Sequence, residues 1–135
     1  MTQRWTFTMT WFQGGVMRVN RGDIVLVDFP YSNHTGSKIR PALVVQADVW
    51  NQRLNTTMLA GITSNLHRGV GAPTQYFIDL ETAEGQQSGL RFNSVVRCDK
   101  PATSNQSRIQ GIIGRLSEAA MADIDACLKA ALDIQ

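Results

Sequence analysis

The chain has 135 residues, 43% of them hydrophobic and 18% charged, with a formal net charge of +2. That length holds one domain around a single core, and that balance excludes a disordered or fibrous chain. No apolar run approaches the roughly 18–20 residues of a membrane-spanning helix, and the N-terminus lacks the apolar stretch of a secretory leader; the expectation is a cytoplasmic protein with no membrane association.

Cys98 and Cys127 are too few for a disulfide framework and read as buried thiols in a reducing compartment. The charge is unevenly spread. Residues 117–135 contain four acidic side chains (Glu118, Asp123, Asp125, Asp133) against Lys129, so the first 116 residues carry twelve basic and seven acidic groups, a net +5. On charge alone that body fits a polyanion-binding surface and an ordinary solvated surface equally well.

Residues 1–17 are polar and aromatic without clear periodicity and end near Gly14–Gly15, so they read as an extension ahead of a domain spanning 18–135. Trp5, Phe7 and Trp11 have the spacing of a short added strand. From Gly22 onward strand signals are frequent. GDIVLVDF (22–29) is rich in β-branched residues and closed by Pro30 and a turn-rich loop. RPALVVQA (40–47) follows, with Pro41 placed as if at a strand start. TTMLAGIT (56–63), TQYFIDL (74–80), RFNSVVRCD (91–99) and IQGIIGRL (109–116) are each bounded by Gly, Asn, Ser or Pro.

DVWNQRL (48–54) predicts a short helix. A longer one begins at Ser117, a natural N-cap, with Glu118 in its first turn and Met121, Ile124, Leu128 and Leu132 as its apolar stripe. Short, closely spaced strands followed by a terminal amphipathic helix predict a mainly β (α+β) fold: a small SH3-like antiparallel β-barrel closed on one side by that helix.

His34, His67, Cys98 and Cys127 form no zinc-binding spacing, and no metal site is expected. TGSK (35–38) lacks the first glycine of a phosphate loop and leads into a strand instead of a helix. No nucleophile motif for acyl transfer is present. What remains is a polar set at strand ends. Arg40 follows a glycine-containing loop, and Thr63 and Ser64 end the third strand. Arg97 and Asp99, two residues apart, share a strand face. By spacing alone that last pair fits a structural ion pair better than a catalytic one.

Five segments in order, RGDIVLVDFP (21–30), TGSKIRPALVV (35–45), ITSN (62–65), SVVRCDK (94–100) and IGRLSEAAM (113–121), resemble the MazF/PemK-type toxins, small barrel-fold endoribonucleases. The likeness runs from about Arg21 to the end of the chain. It implies metal- and cofactor-independent cleavage of single-stranded RNA by a homodimer that a cognate antitoxin silences. It assigns catalytic roles to Arg40 with Thr63, and to Arg97 with Asp99. It makes His34, Ser37, Lys38 and Ser64 the candidate RNA contacts.

Two departures stand out. Thr35 and Gly36 follow His34 where many members carry an acidic residue and a glutamine, which shifts the expected base to Asp99. Gly61 stands where a proline is common. The same fold is shared by gyrase-poisoning toxins and other binding barrels that cut nothing, so a non-catalytic module and an inactive homologue are the rival readings. The gyrase poisons, as the resemblance has it, use a Trp-containing C-terminus, whereas this chain ends ALDIQ.

Overall fold

The structure, a computed structural model, describes residues 18–30, 37–66 and 71–135. The proposed extension over 1–17, His34 and His67 lie outside the described residues, as does the side chain of Ser37. Six strands, β1 (Asp23–Pro30), β2 (Ser37–Val44), β3 (Thr56–Thr63), β4 (Gln75–Ile78), β5 (Ser94–Asn105) and β6 (Ile109–Arg115), alternate with three helices, α1 (Asp48–Arg53), α2 (Ala83–Gln87) and α3 (Glu118–Leu132). The strands form one antiparallel sheet in the order β4-β5-β3-β2-β1-β6. The expected mainly β class with a C-terminal amphipathic helix holds. The sheet curls in the SH3-like manner but stays open, because its end strands β4 and β6 are not bonded to each other.

Curvature comes from breaks in register. The β1–β6 pair shifts twice, between Ile24 and Val25 and between Leu26 and Val27. The β3–β5 pair shifts between Ala60, opposite Pro101, and Gly61, opposite Arg97. Such bulges bend a strand and steepen its twist. The bent sheet buries β1 on both faces, which explains the unbroken apolar run of its sequence. On one face Ile24, Leu43, Ala60, Ile62 and Val96 pack beneath Ala120, Met121, Ile124 and Cys127 of α3. On the other, Val25, Val27, Ala42, Val44, Leu59 and Ile109 pack on one another with Val19.

Three sequence expectations are corrected here. Pro41 lies inside β2, not at its start; β2 is bonded to β3 only from Ala42 onward, so Pro41 has a single strand neighbour and its missing N–H costs little there. β5 runs on through Pro101 to Asn105, because the register shift accommodates the proline. Leu132 is 60% exposed and leaves the buried stripe. Each i+4 step overshoots a full turn by about 40°, so Leu132 sits about 80° round from Ile124; Cys127 faces the core in its stead.

The helix starts are set by side chains. Ser117 Oγ accepts from Ala120 N at 3.1 Å, and Ser117 N donates to the Glu84 carboxylate at 2.8 Å, tying the start of α3 to α2. Thr82 Oγ1 caps α2 by accepting from Gly85 N at 3.0 Å. This five-residue helix has no periodicity a sequence reading could detect. Beneath α1, Asn51 is fully buried; its Oδ1 accepts from Thr57 Oγ1 (2.7 Å) and Gln46 Nε2 (2.9 Å), while its carbonyl accepts from Gln106 Nε2 (2.9 Å). Cys98 and Cys127 are free, buried thiols side by side between β5 and α3, and burial pushes the Cys98 thiol up to about 12.

The close passage of the α2–β5 connection over β6 is glycine-dependent. A Cβ on Gly89, which has φ +74°, would stand 2.0 Å from the Ile113 carbonyl oxygen. Gly71 has φ +91° but open space around the same point. Gly89→Ala is expected to cost about 2–5 kcal/mol, the sum of a left-handed backbone and overpacking. Gly71→Ala is expected to cost only the backbone part, about 1–2 kcal/mol. Urea midpoints of the two variants, at unchanged slope, check the difference.

Candidate active site

On the sheet face away from α3, the register lines up the polar residues in rows. Val27 faces Arg40 across β1–β2, and Ala42 faces Gly61 across β2–β3. Continued by two residues, the second register sets Arg40 level with Thr63, which in turn faces Val95 and, beyond it, Phe77 of β4. The next row holds Ala42, Gly61, Arg97 and Gln75. Opposite residues in an antiparallel pair project to the same face. Arg40, Thr63, Phe77 and Arg97 therefore share one surface.

Arg40 and Thr63 also border a cleft of about 210 Å³ at the strand ends, lined by Lys38, Ser64, Arg91 and Phe92 together with Ile62 and Leu90 from the core beneath α3. Lys38, Arg40 and Ser64 are exposed and Thr63 is partly buried. Thr63 Oγ1 accepts a hydrogen bond from Asn65 N at 3.1 Å, which fixes the hydroxyl oxygen and leaves its proton to donate outward. The cleft thus presents fixed positive charge and hydroxyl donors, a combination suited to the non-bridging oxygens of a phosphodiester.

Arg97 and Asp99 do not line that cleft; the Arg97 row is one two-residue step, roughly 6.5–7 Å, further along the strands, and Asp99 follows two residues on in β5. They form a two-point ion pair, Nη2 to Oδ2 at 2.9 Å and Nε to Oδ1 at 3.3 Å. Gly61 stands beside Arg97 in that second row. A Cβ there would meet nothing within 4 Å, so the surface directly above Gly61 is uncovered.

The hydrogen bond from Arg97 holds the Asp99 carboxyl below the ordinary carboxylate value, outweighing its slight desolvation. The sequence reading asked for the reverse, a base with a raised pKa. The hydrogen bond from Arg97 thus makes Asp99 a weaker base, not a stronger one.

Among the residues singled out by sequence, the structure brings Lys38, Arg40, Thr63 and Ser64 into one cleft, with Arg97 and Asp99 adjacent. Ser37 is the first residue of β2. Arg91 and Phe92 were missed. The signal is a basic–aromatic doublet one residue past the turn at Ser88–Gly89, which in the sequence reads as the start of a strand.

The family described as PemK-like, MazF-like toxin of type II toxin-antitoxin system matches residues 20–132, and the chain belongs to that family. Two relatives span nearly all of the described domain. Endoribonuclease MazF2 of Mycobacterium bovis is 31% identical over 120 residues, covering 87% of this chain and all of that protein. Endoribonuclease EndoA of Bacillus subtilis is 28% identical over 117 residues, 86% of this chain and 96% of that one. The fold resembles a mycobacterial endoribonuclease solved in complex with its cognate antitoxin, at a TM-score of 0.70 and 19% identity over 87% of this chain and 97% of the other. It also resembles MazF in a MazE–MazF complex from Deinococcus radiodurans, at a TM-score of 0.67 and 18% identity over 88% of this chain and 100% of that one.

The depressed Asp99 value gives a direct check. The ion pair contributes stability that is complete above the ordinary carboxylate value and disappears as pH falls through the lowered one. A carboxyl-detected NMR titration is expected to place Asp99 below the ordinary value, near 3.9 in model peptides. In Arg97→Gln the same titration should move up toward it. An Asp99 midpoint unaffected by loss of Arg97 would remove the pair as its cause.

Proposed function

We propose that the protein is an endoribonuclease toxin that cleaves single-stranded RNA through attack of the substrate's own 2′-hydroxyl, leaving 2′,3′-cyclic phosphate and 5′-hydroxyl ends. The carrying observation is a cationic, hydroxyl-bearing cleft at Arg40 and Thr63 with the Arg97–Asp99 ion pair a short step further along the strands. Family membership supports the same reading.

The roles follow from the chemistry. Attack on phosphorus needs a base for the 2′-proton, a proton source for the leaving 5′-oxygen and positive charge on the phosphorane oxygens. Arg40 holds two of those oxygens and Thr63 donates to one. Arg97, always charged, stabilises the phosphorane as its main task. Asp99 is the base. A phosphate drawn onto Arg97 competes with Asp99 for the guanidinium, and loss of that hydrogen bond lets the carboxylate pKa rise just as substrate arrives. Lys38, Ser64, Ser37 and His34 contact the strand on either side of the cut. The chemistry calls for no metal or cofactor.

The same reading makes the protein a cytoplasmic homodimer with an RNA groove shared between subunits, silenced by a cognate antitoxin whose acidic segment covers Arg40 and Arg97. Among the described residues no helix is long and apolar enough to cross a membrane. A dimer of this kind should bury roughly 1,200–2,000 Å² in total. Light scattering at micromolar concentration is expected to return twice the 14.9 kDa chain mass.

Purified protein and a long single-stranded RNA, with and without EDTA, test the central claim, and EDTA is expected to change nothing. Arg40→Ala and Asp99→Asn should each lower cleavage about 10²–10⁴-fold, and Thr63→Ala and Arg97→Ala about 10²–10³-fold. All four should stay folded, since none of these side chains is fully buried. Gly61→Val, which has room for its Cβ, should fold and crowd the surface beside Arg97. A stable, fully active Asp99→Asn variant would take Asp99 out of the mechanism.

A further inference from the structure

Phe92 is a large apolar side chain left 51% exposed, at the wall of the same cleft that holds Arg40, Thr63 and Ser64. Its backbone is fixed from both sides. Ser94 Oγ donates to the Phe92 carbonyl at 2.8 Å, and Asn93 Oδ1 accepts from Leu80 N at 2.8 Å. Upstream, Leu90 is buried, with its N–H donated to Ser88 Oγ at 3.2 Å, and Gly89 lies against the β6 backbone. The ring is thus exposed but carried on an immobilised segment. A second phenylalanine, Phe77, is 38% exposed and lies level with Thr63 across Val95, on the same face.

An exposed ring beside fixed cations is the composition of a single-stranded nucleic-acid site. Phosphates go to arginine and lysine, while unstacked bases lie on aromatic faces. A cleft of about 210 Å³ is smaller than the pockets of roughly 300–1,000 Å³ that enclose whole small molecules, and so suits one element of a polymer.

We propose that Phe92 is the platform on which a nucleobase of the bound RNA stacks, beside the phosphate held by Arg40 and Thr63. The inference rests on the endoribonuclease reading above and adds to it a residue that orients the strand. Because every base has a π-face, Phe92 contributes affinity and the placement of the scissile bond without selecting a base by itself.

The test has two arms. Cleavage of a long single-stranded RNA by the wild-type protein is mapped first. A short oligonucleotide is then made around a cut site, with 2′-O-methyl riboses to prevent attack and a 2-aminopurine beside the cut. Binding to wild-type protein is expected to quench the 2-aminopurine. Phe92→Leu, which keeps apolar bulk and removes the ring, should lose the quench and bind about 5- to 150-fold more weakly. Phe92→Trp should retain both. The Leu variant should also cut the long RNA with a raised KM.

Wild-type cleavage with a Phe92→Leu variant unchanged in quench, affinity and KM would overturn the platform and leave the nuclease reading intact. A change from dimer to monomer in Phe92→Leu, with the quench per bound protein preserved, would make Phe92 a subunit contact and equally overturn it. If the wild type cuts nothing, the nuclease reading fails. A mixed-sequence oligonucleotide then reads the platform by itself: quench lost in Phe92→Leu supports it, and no quench with wild type overturns it.

Discussion

The pairing of β3 with β5 carries a three-residue discontinuity, and much of the molecule's working surface depends on it. From Ala60 to Gly61 the partner on β5 jumps from Pro101 to Arg97, so Cys98, Asp99 and Lys100 have no counterpart on β3. The slack lets one twelve-residue strand serve two purposes. Its first half lies between β3 and β4, and its second half continues along β3 alone. At the bulge the chain points Cys98 into the core against α3 while Arg97 and Asp99 emerge on the opposite face. A proline is tolerated there, and the sheet bends where its concave core requires it.

Around that bend the electrostatics are arranged as a competition instead of a ready-made base. Arg97 holds Asp99 in its ionised form, which protects the carboxylate from idle protonation but also makes it reluctant to accept a proton. An arriving phosphate has a claim on the same guanidinium. On the proposed reading, binding of RNA and activation of Asp99 as the base are one event. On the same reading Arg40, exposed and one row away, meets the phosphorane without any such release.

Rigid parts surround this site. The buried amides under α1 fix the β2–β3 connection. The ties from Ser117 to Glu84 and from Gly89 to β6 fix the far wall, where Arg91 and Phe92 stand. The solved structures resembling this chain share its fold at under 25% identity and speak for the fold alone. The particular side chains on that rigid frame, not the frame, distinguish a nuclease from a binding module of the same shape.

Local chemistry was enough to read much of this chain. Strands with β-branched runs between turn residues, as in 56–63, and the capped helix at Ser117 are stabilised by neighbours in sequence, so their patterns survive in one dimension. Arg40, Thr63, Arg97 and Asp99 were legible as polar residues in strands where apolar ones predominate. The resemblance then grouped them. Tertiary structure alone decided the rest. The passage of β5 through Pro101, the place of Pro41 inside β2 and the exposure of Leu132 all depend on which strand or sheet edge lies alongside. The sign of the Asp99 shift depends on a guanidinium at 2.9 Å, and the opening at Gly61 on what is not packed above it. Phe92 looked like a strand residue because a sequence does not say which side chains a curled sheet will leave uncovered. Periodicity reports which face a residue takes, and only the packed neighbours determine what that face meets.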